Sequence, residues 1–156
     1  MQIDRPIVPK DYGVPTSEEG LLSWDDVRAR LEQAANYWIV TANRKAKPHA
    51  VPLWGAWVGV RFYFDGSPET LWGRNLAANP QIAIHLENGS EAVIVEGTFS
   101  WQNDLTPETF ALVQASYRAK YPTYTPEHME GLYMVTPQKV MAWTSFPKTM
   151  TRFRFS

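Results

Sequence analysis

Cysteine is absent from the 156-residue chain, which excludes thiol nucleophiles, disulfides and thiolate metal sites together. Net charge is also nearly absent, with 15 Lys and Arg against 16 Asp and Glu. A near-neutral chain carries no basic footprint for a polyanion, so nucleic acid is not an expected partner. Long apolar runs are missing too. The longest, around "AVPLWGAWVGV", is too short and too broken by Pro and Gly to cross a bilayer, so no membrane partner is expected. The opening "MQIDRPIVPK" has charges and prolines where an export signal would carry apolar residues. These absences predict a soluble, cytoplasmic protein.

The familiar catalytic signatures are missing as well. His49, His85 and His128 lie far apart and show no metal-ligand spacing, so no metal site is expected. There is no nucleophile elbow, no phosphate-binding Gly-Lys loop and no dinucleotide Gly-rich turn. No side chain is singled out as catalytic. An enzyme of this composition would rely on a bound cofactor to carry its reaction.

What the chain does have is aromatic residues, 13% of the total with seven Trp, in an otherwise ordinary globular composition. Its length is that of one domain, taken here as residues 1–156. Residues 1–20 hold Pro6, Pro9 and Pro15 without periodicity and read as an extended arm. Ser23 is a good helix N-cap, and Trp24, Val27, Leu31 and Ala34 form an apolar stripe, predicting a helix within 21–36. The period then shortens. "YWIVTA", the basic turn "NRKAKP" and "HAVPLWGAWV" predict two antiparallel strands, and Pro52 requires an edge or a bulge in the second.

Further strands are expected at "RFYF" after Gly59, and in a hairpin of "QIAIHLE" and "EAVIVEGTFSW" around Asn88 and Gly89. Thr106 and Pro107 start a second amphipathic helix reaching Lys120, and Thr125 and Pro126 signal another short helical turn. "GLYMV" and "KVMAWT" close as a last strand or pair. The predicted class is α+β dominated by β: about six antiparallel strands in a closed or nearly closed barrel, with flanking helices.

One stretch invites a functional reading. In "SPETLWGRNLAANP", Ser67 suits the N-cap, Pro68 the first helical position, and Asn79 with Pro80 the stop. Free N–H groups at a helix start attract anions, and Thr70 and Arg74 lie one turn apart on one face. Arg74 is therefore a candidate phosphate contact. The same pattern also describes a helix that plugs a barrel end with Leu71, Leu76 and Ala78 while Arg74 pairs with a surface carboxylate.

The segment from Tyr37 to Phe99 resembles the pyridoxamine 5′-phosphate oxidase-like, flavin-binding split-barrel family. The resemblance rests on the order of strand, basic turn, "PHAVPLW", "FYF", the "RNLAANP" helix and the "HLE…VEG" hairpin, with a fainter echo in "TPQKVMAWTSFPKTMTRFRF". It is nearest to the small bacterial branch holding FMN- and F420-dependent oxidoreductases. It implies a six-stranded Greek-key split barrel that forms a homodimer, with cofactor sites at the interface. It further implies that the backbone of Val51, Pro52, Leu53 and Trp54 runs along the flavin or deazaflavin ring. Phe64, Asp65, Gly66 and Ser67 would stand beside the ribityl chain and phosphate. Arg74 and Asn75 would lie in the phosphate-associated helix, with Trp143 and Arg152 approaching from the partner subunit.

The chain departs from the family at one point: Trp72 stands where a "K-x-R-N-L" pattern has lysine. Trp72 either stacks on a bound ring or buries itself beside Leu76. The basic turn, with Arg44, Lys45 and Lys47, is either a solvated hairpin tip or a seat for the polyglutamate tail of F420. The function implied is hydride transfer through FMN, or alternatively F420, to or from a small organic substrate. Alternatives are a protein that binds FMN, F420 or haem without turnover, and a scaffold whose site has decayed. The "TRFRF" ending lacks the Arg-x-His pattern expected of a true pyridoxamine phosphate oxidase.

Overall fold

A computed structural model describes residues 1–101 and 105–155. Among these, three α-helices and nine strands follow the chain in order. β1 spans Gln2–Asp4, α1 Trp24–Gln33, β2 Tyr37–Ala42, β3 Pro48–Leu53, β4 Ala56–Val58 and β5 Arg61–Asp65. They are followed by α2 at Leu71–Ala78, β6 at Gln81–His85 and β7 at Val93–Trp101. α3 at Pro107–Lys120, β8 at Leu132–Ala142 and β9 at Thr151–Arg154 complete the order. Every strand pairing is antiparallel.

Seven strands make a circuit. β3 pairs with β2, β2 with β6, β6 with β7, β7 with β8, β8 with β5 and β5 with β4. Only Trp54 and Gly55 separate β4 from β3, so chain continuity closes the ring where a ladder would otherwise be needed. The expected strand "HAVPLWGAWV" is thus two strands joined at a kink. Pro52 fits because β3 pairs only with β2 and leaves its other edge open.

β8 is the hub. Its first residues pair with β5 on one side, its last residues pair with β9 there instead, and β7 runs along the other side throughout. This is one long strand rather than a pair. Pro137 is accommodated by a register shift opposite Glu96 and Gly97. Gly97 has to be glycine, since a Cβ would lie 2.5 Å from the Thr136 carbonyl oxygen.

The inward positions alternate as a half-buried strand requires: Tyr37, Ile39 and Thr41 on β2 are buried, while Trp38, Val40 and Ala42 between them are partly exposed. Phe62 and Phe64 meet Tyr37, Tyr133 and Trp72 in an aromatic core, with ring centroids 4.5–5.5 Å apart. α1 begins at Ser23, whose hydroxyl accepts from the Asp26 amide, and buries Val27 and Leu31. α3 begins at Thr106 with Pro107 in its first turn, as the sequence indicates.

Several expectations change. The first residues are not merely an arm: β1 pairs with β9, held by Asp4 accepting from Arg152 at 2.7 and 2.9 Å and from Arg154 at 2.7 Å. Neither partner shows in local pattern, because 148 residues separate Asp4 from Arg152. The helical turn expected at Thr125 forms later, as a 3-10 turn at Met129–Gly131. The loop around Asn88 is longer than a two-residue turn, with Asn88 Oδ1 accepting from the Ser90 and Glu91 amides.

Gly55 is the tightest point in the circuit. A Cβ there would lie 2.3 and 2.5 Å from the Phe62 ring and 2.9 Å from the Tyr63 carbonyl oxygen. Gly55→Ala must therefore displace a fully buried ring. It is expected to lower stability by about 1–3 kcal/mol, read as a lower urea midpoint at unchanged m-value. An unchanged midpoint would show that the kink yields freely.

Candidate functional site

The kink between β3 and β4 is held from outside by α3. The Tyr121 hydroxyl accepts from the Gly55 amide at 3.1 Å and donates to the Ala35 carbonyl at 2.8 Å. Tyr117 donates to the Trp54 carbonyl at 3.2 Å. Lys120 Nζ donates to the Gly55 carbonyl at 2.7 Å and to the Tyr37 hydroxyl at 2.9 Å, and Tyr37 in turn donates to the Leu31 carbonyl at 2.6 Å. The ammonium also lies over the Tyr37 and Tyr121 rings, 4.9 and 5.3 Å from their centroids. Backbone groups freed by the kink thus find side-chain partners, as buried polar groups must.

This clasp fixes Trp54 in an unusual position. Its ring stacks on Tyr121 at 4.6 Å with planes 8° apart, yet 43% of the residue remains exposed. Trp54 lines a cleft of about 430 Å³ with Asn36, Pro52, Leu53, Asp65 and Tyr124. Asp65 and Tyr124 also form one wall of a neighbouring cleft of about 500 Å³ that contains Thr123, Glu127 and His128. The Tyr124 hydroxyl donates to Asp65 Oδ2, and this bond to a carboxylate pushes the phenol up to about 12.

Of the residues singled out in the sequence, Pro52, Leu53, Trp54 and Asp65 meet in this cleft. Val51 is half-buried and packs on the core. Phe64 and Trp72 belong to the core. Trp72 is only 6% exposed, tilted against Phe64 and edge-on to Tyr133, which leaves no free ring face for a ligand. Asn75 is buried too, and its amide donates to the Thr41 hydroxyl at 3.1 Å, tying α2 to β2.

The helix start also moves. Thr70, not Ser67, is the N-cap, accepting from the Gly73 amide at 3.0 Å, and Leu71 rather than Pro68 is first in the helix. Ser67 through Thr70 instead form a turn in which the Ser67 carbonyl accepts from the Thr70 amide and hydroxyl. Gly73 lets this turn lie on the helix, since a Cβ there would meet Pro68 backbone at 2.8 Å. Gly66, at φ 147°, passes so close to Trp72 that a Cβ would sit 2.8 Å from its ring. Arg74 is exposed one turn after the cap, and among the described residues its guanidinium has no ion pair.

Trp143 and Arg152, expected to approach from the partner subunit, lie away from this cleft within the chain. Trp143 follows β8 and packs on Phe146 at 5.8 Å. Arg152 pairs with Asp4 within the same chain through Nε and Nη2. The basic turn is an exposed tip whose Asn43 Oδ1 accepts from the Lys45 and Lys47 amides. The residues that sequence reasoning missed are Lys120, Tyr121 and Tyr124. The only local hint was "KYPTYTP", a dense run of aromatic and proline residues directly after a helix.

The seven-strand circuit, β3's open edge and the single long β8 define a split barrel. The comparisons agree: the family model for pyridoxamine 5′-phosphate oxidase matches residues 23–144, and the chain belongs to that family. Among solved structures, it is similar to a heme binding protein from Mycobacterium smegmatis at 16% identity and TM-score 0.65, covering 86% of this chain and 59% of that one. An FAD-binding protein from Mesorhizobium loti matches at 17% identity and TM-score 0.61, over 84% of this chain and 93% of that one. An F420 reductase matches at 20% identity and TM-score 0.55, over 80% of this chain and 98% of that one. Comparison with curated protein sequences finds no match. At these identities the structural likenesses show the fold alone. Among the described residues, no helix is long and apolar enough to cross a membrane.

Burial of Lys120 without a carboxylate lowers its pKa to about 8. Above that pH the unfolded amine, with an ordinary value of 10.5, still holds a proton that the folded amine has lost. Stability therefore rises with pH from about 8 toward 10. Near pH 10 and above, the buried Tyr37 and Tyr117 oppose it, because burial keeps their hydroxyls protonated in the fold while the unfolded phenols ionise. Urea midpoints measured from pH 7.5 to 9.5 are expected to rise in the wild type and stay flat in Lys120→Met. The same rise in both proteins would contradict this assignment.

Proposed function

We propose that this chain is a homodimeric oxidoreductase that binds FMN, or alternatively F420, and passes hydride between it and a small organic substrate. When bound, the flavin or deazaflavin ring supplies the hydride chemistry. The protein's part is to bind, orient and exclude water. β3's open edge offers unpaired backbone groups along Val51, Pro52 and Leu53, suited to the polar rim of a planar ring. Family membership supports the cofactor class.

The observation that carries the reading is Arg74, an unpaired, exposed cation one turn into α2, close in sequence to the tight Gly66–Ser67 passage. It is the remaining charge-assisted contact for a phosphate, since Trp72 has replaced the family lysine and gone into the core. FMN and F420 added separately in a fluorescence titration test it. One of them is expected to bind, and Arg74→Ala should weaken it by roughly ten- to a hundredfold, the loss typical of a hydrogen bond to a charged group. Unchanged affinity in the variant would remove Arg74 from the site, and failure of both cofactors would remove the reading.

The dimer proposal rests on the outer sheet face. Pro52, Trp38, His85, Ile94 and Met141 align across five strands by register, and Trp38 stacks on His85 with planes 1° apart. Such a row of apolar and aromatic side chains suits a self-complementary two-fold contact. Sedimentation should give a dimer, and Trp38→Glu a monomer; a wild-type monomer would contradict it.

A second reading, haem binding without turnover, is favoured by His85. Its Nδ1 donates to the Leu86 carbonyl at 2.9 Å, which leaves Nε2 with its lone pair for a metal. A Soret shift on adding haem that is lost in His85→Ala would support this reading; no shift would dismiss it.

A further inference from the structure

The cleft beside Trp54 has features that holding the backbone does not require. The clasp needs the Trp54 carbonyl and the Gly55 amide and carbonyl, and none of the Trp54 side chain. Yet the largest side chain available is placed here, with one ring face on Tyr121 and much of its surface open to solvent. A rigid indole on a cleft wall is a stacking platform for a planar ring.

Across the cleft stands Asp65, at the end of β5. Among the described residues its carboxylate has no cation partner; its side-chain hydrogen bond comes from Tyr124. Tyr124 is itself 45% exposed and sits on the loop after α3, so its hydroxyl can leave Asp65 with little packing lost. No lysine or arginine lines this cleft or its neighbour, whereas Asp65 and Glu127 do. The local field therefore favours cations and N–H donors and disfavours anions. Indole and carboxylate together select one chemistry: an aromatic ring whose positive or donor edge reaches Asp65 while its face lies on Trp54.

We propose that the cleft between Trp54 and Asp65 binds a planar heteroaromatic ring bearing a cationic or N–H donor group, such as an aminated or protonated nitrogen heterocycle. Trp54 stacks the ring, Asp65 accepts from its donor group, and Tyr124 occupies that acceptor when the cleft is empty. The cleft shares Pro52, Leu53 and Trp54 with the seat proposed for the cofactor ring, so this ligand class is assigned to the chain without its cofactor and would compete with FMN or F420 there.

The test uses the full chain freed of any cofactor, so its outcome is separate from that of the flavin titration. Calorimetry is run with three probes on one ring: 4-aminoquinoline as the cation, quinoline as the neutral form and quinoline-4-carboxylate as the anion. The cation is expected to bind at least tenfold more tightly than the anion. Trp54→Ala should weaken the cation and the neutral probe alike, by tenfold or more, whereas Asp65→Asn should weaken only the cation. Tyr124→Phe should tighten the cation severalfold, because Asp65 no longer has to give up a hydrogen bond. Thermal midpoints of the three variants establish that each is folded. Equal affinity for cation and anion would overturn the proposal, as would absence of binding by the cation. So would a Tyr124→Phe variant that binds no better than the wild type.

Discussion

The structure depends on what α3 does to two residues, Trp54 and Gly55. They join β3 to β4 and so close the barrel, but they belong to no ladder. Their backbone groups would be buried and unpaired without Tyr117, Lys120 and Tyr121, and an unpaired buried group costs about 1–3 kcal/mol. The same three side chains reach Leu31 (through Tyr37) and Ala35, so the end of α1, the start of β2 and the kink are fixed together. Lys120 stays in this setting although burial works against its charge, because two oxygens and two ring faces receive it. Closing the barrel in this way leaves β3 with a free edge. That edge and the indole beside it are the features a planar ligand can use.

Much of this was legible where a local rule acts alone. Alternation marked β2, and it marked the hairpin that includes Ile82, Ile84, Val93 and Val95, because one face of each strand is buried and the other is not. Ser23 and Thr106 cap their helices as their neighbours suggest. Ser67 illustrates where local rules compete. Both Ser67 and Thr70 satisfy the capping pattern, and the choice falls to Gly73, whose missing side chain lets the Pro68 turn lie against the helix. No window of sequence weighs that contact. Local pattern likewise leaves open whether "GLYMV" and "KVMAWT" form one strand or a pair, and Gly97, forty residues before Pro137 on the facing strand, lets β8 run through as one.

The site was legible only in part. The resemblance led to Pro52, Leu53, Trp54 and Asp65, which do meet, and also to Phe64, Trp72 and Asn75, which the core absorbs. Trp72 shows why a motif position does not carry its chemistry with it: where the resemblance implies a lysine, this chain has a core residue against Phe64 and Tyr133. Arg152 pairs with Asp4, a partner from the other end of the chain that no local pattern announces. Lys120, Tyr121 and Tyr124 escaped notice because their importance comes from tertiary neighbours and not from any spacing.

The central claim is that a flavin-type ring lies along β3's free edge with its anionic end toward α2. Amide hydrogen exchange, compared with and without an excess of whichever of FMN and F420 binds, tests it most directly. The account predicts slower exchange in the cofactor complex at Val51, Leu53 and Trp54 and across Gly66 to Arg74, with β1 and β9 unaffected. Protection confined to other segments, with β3 exchanging as fast as in the free protein, would contradict it.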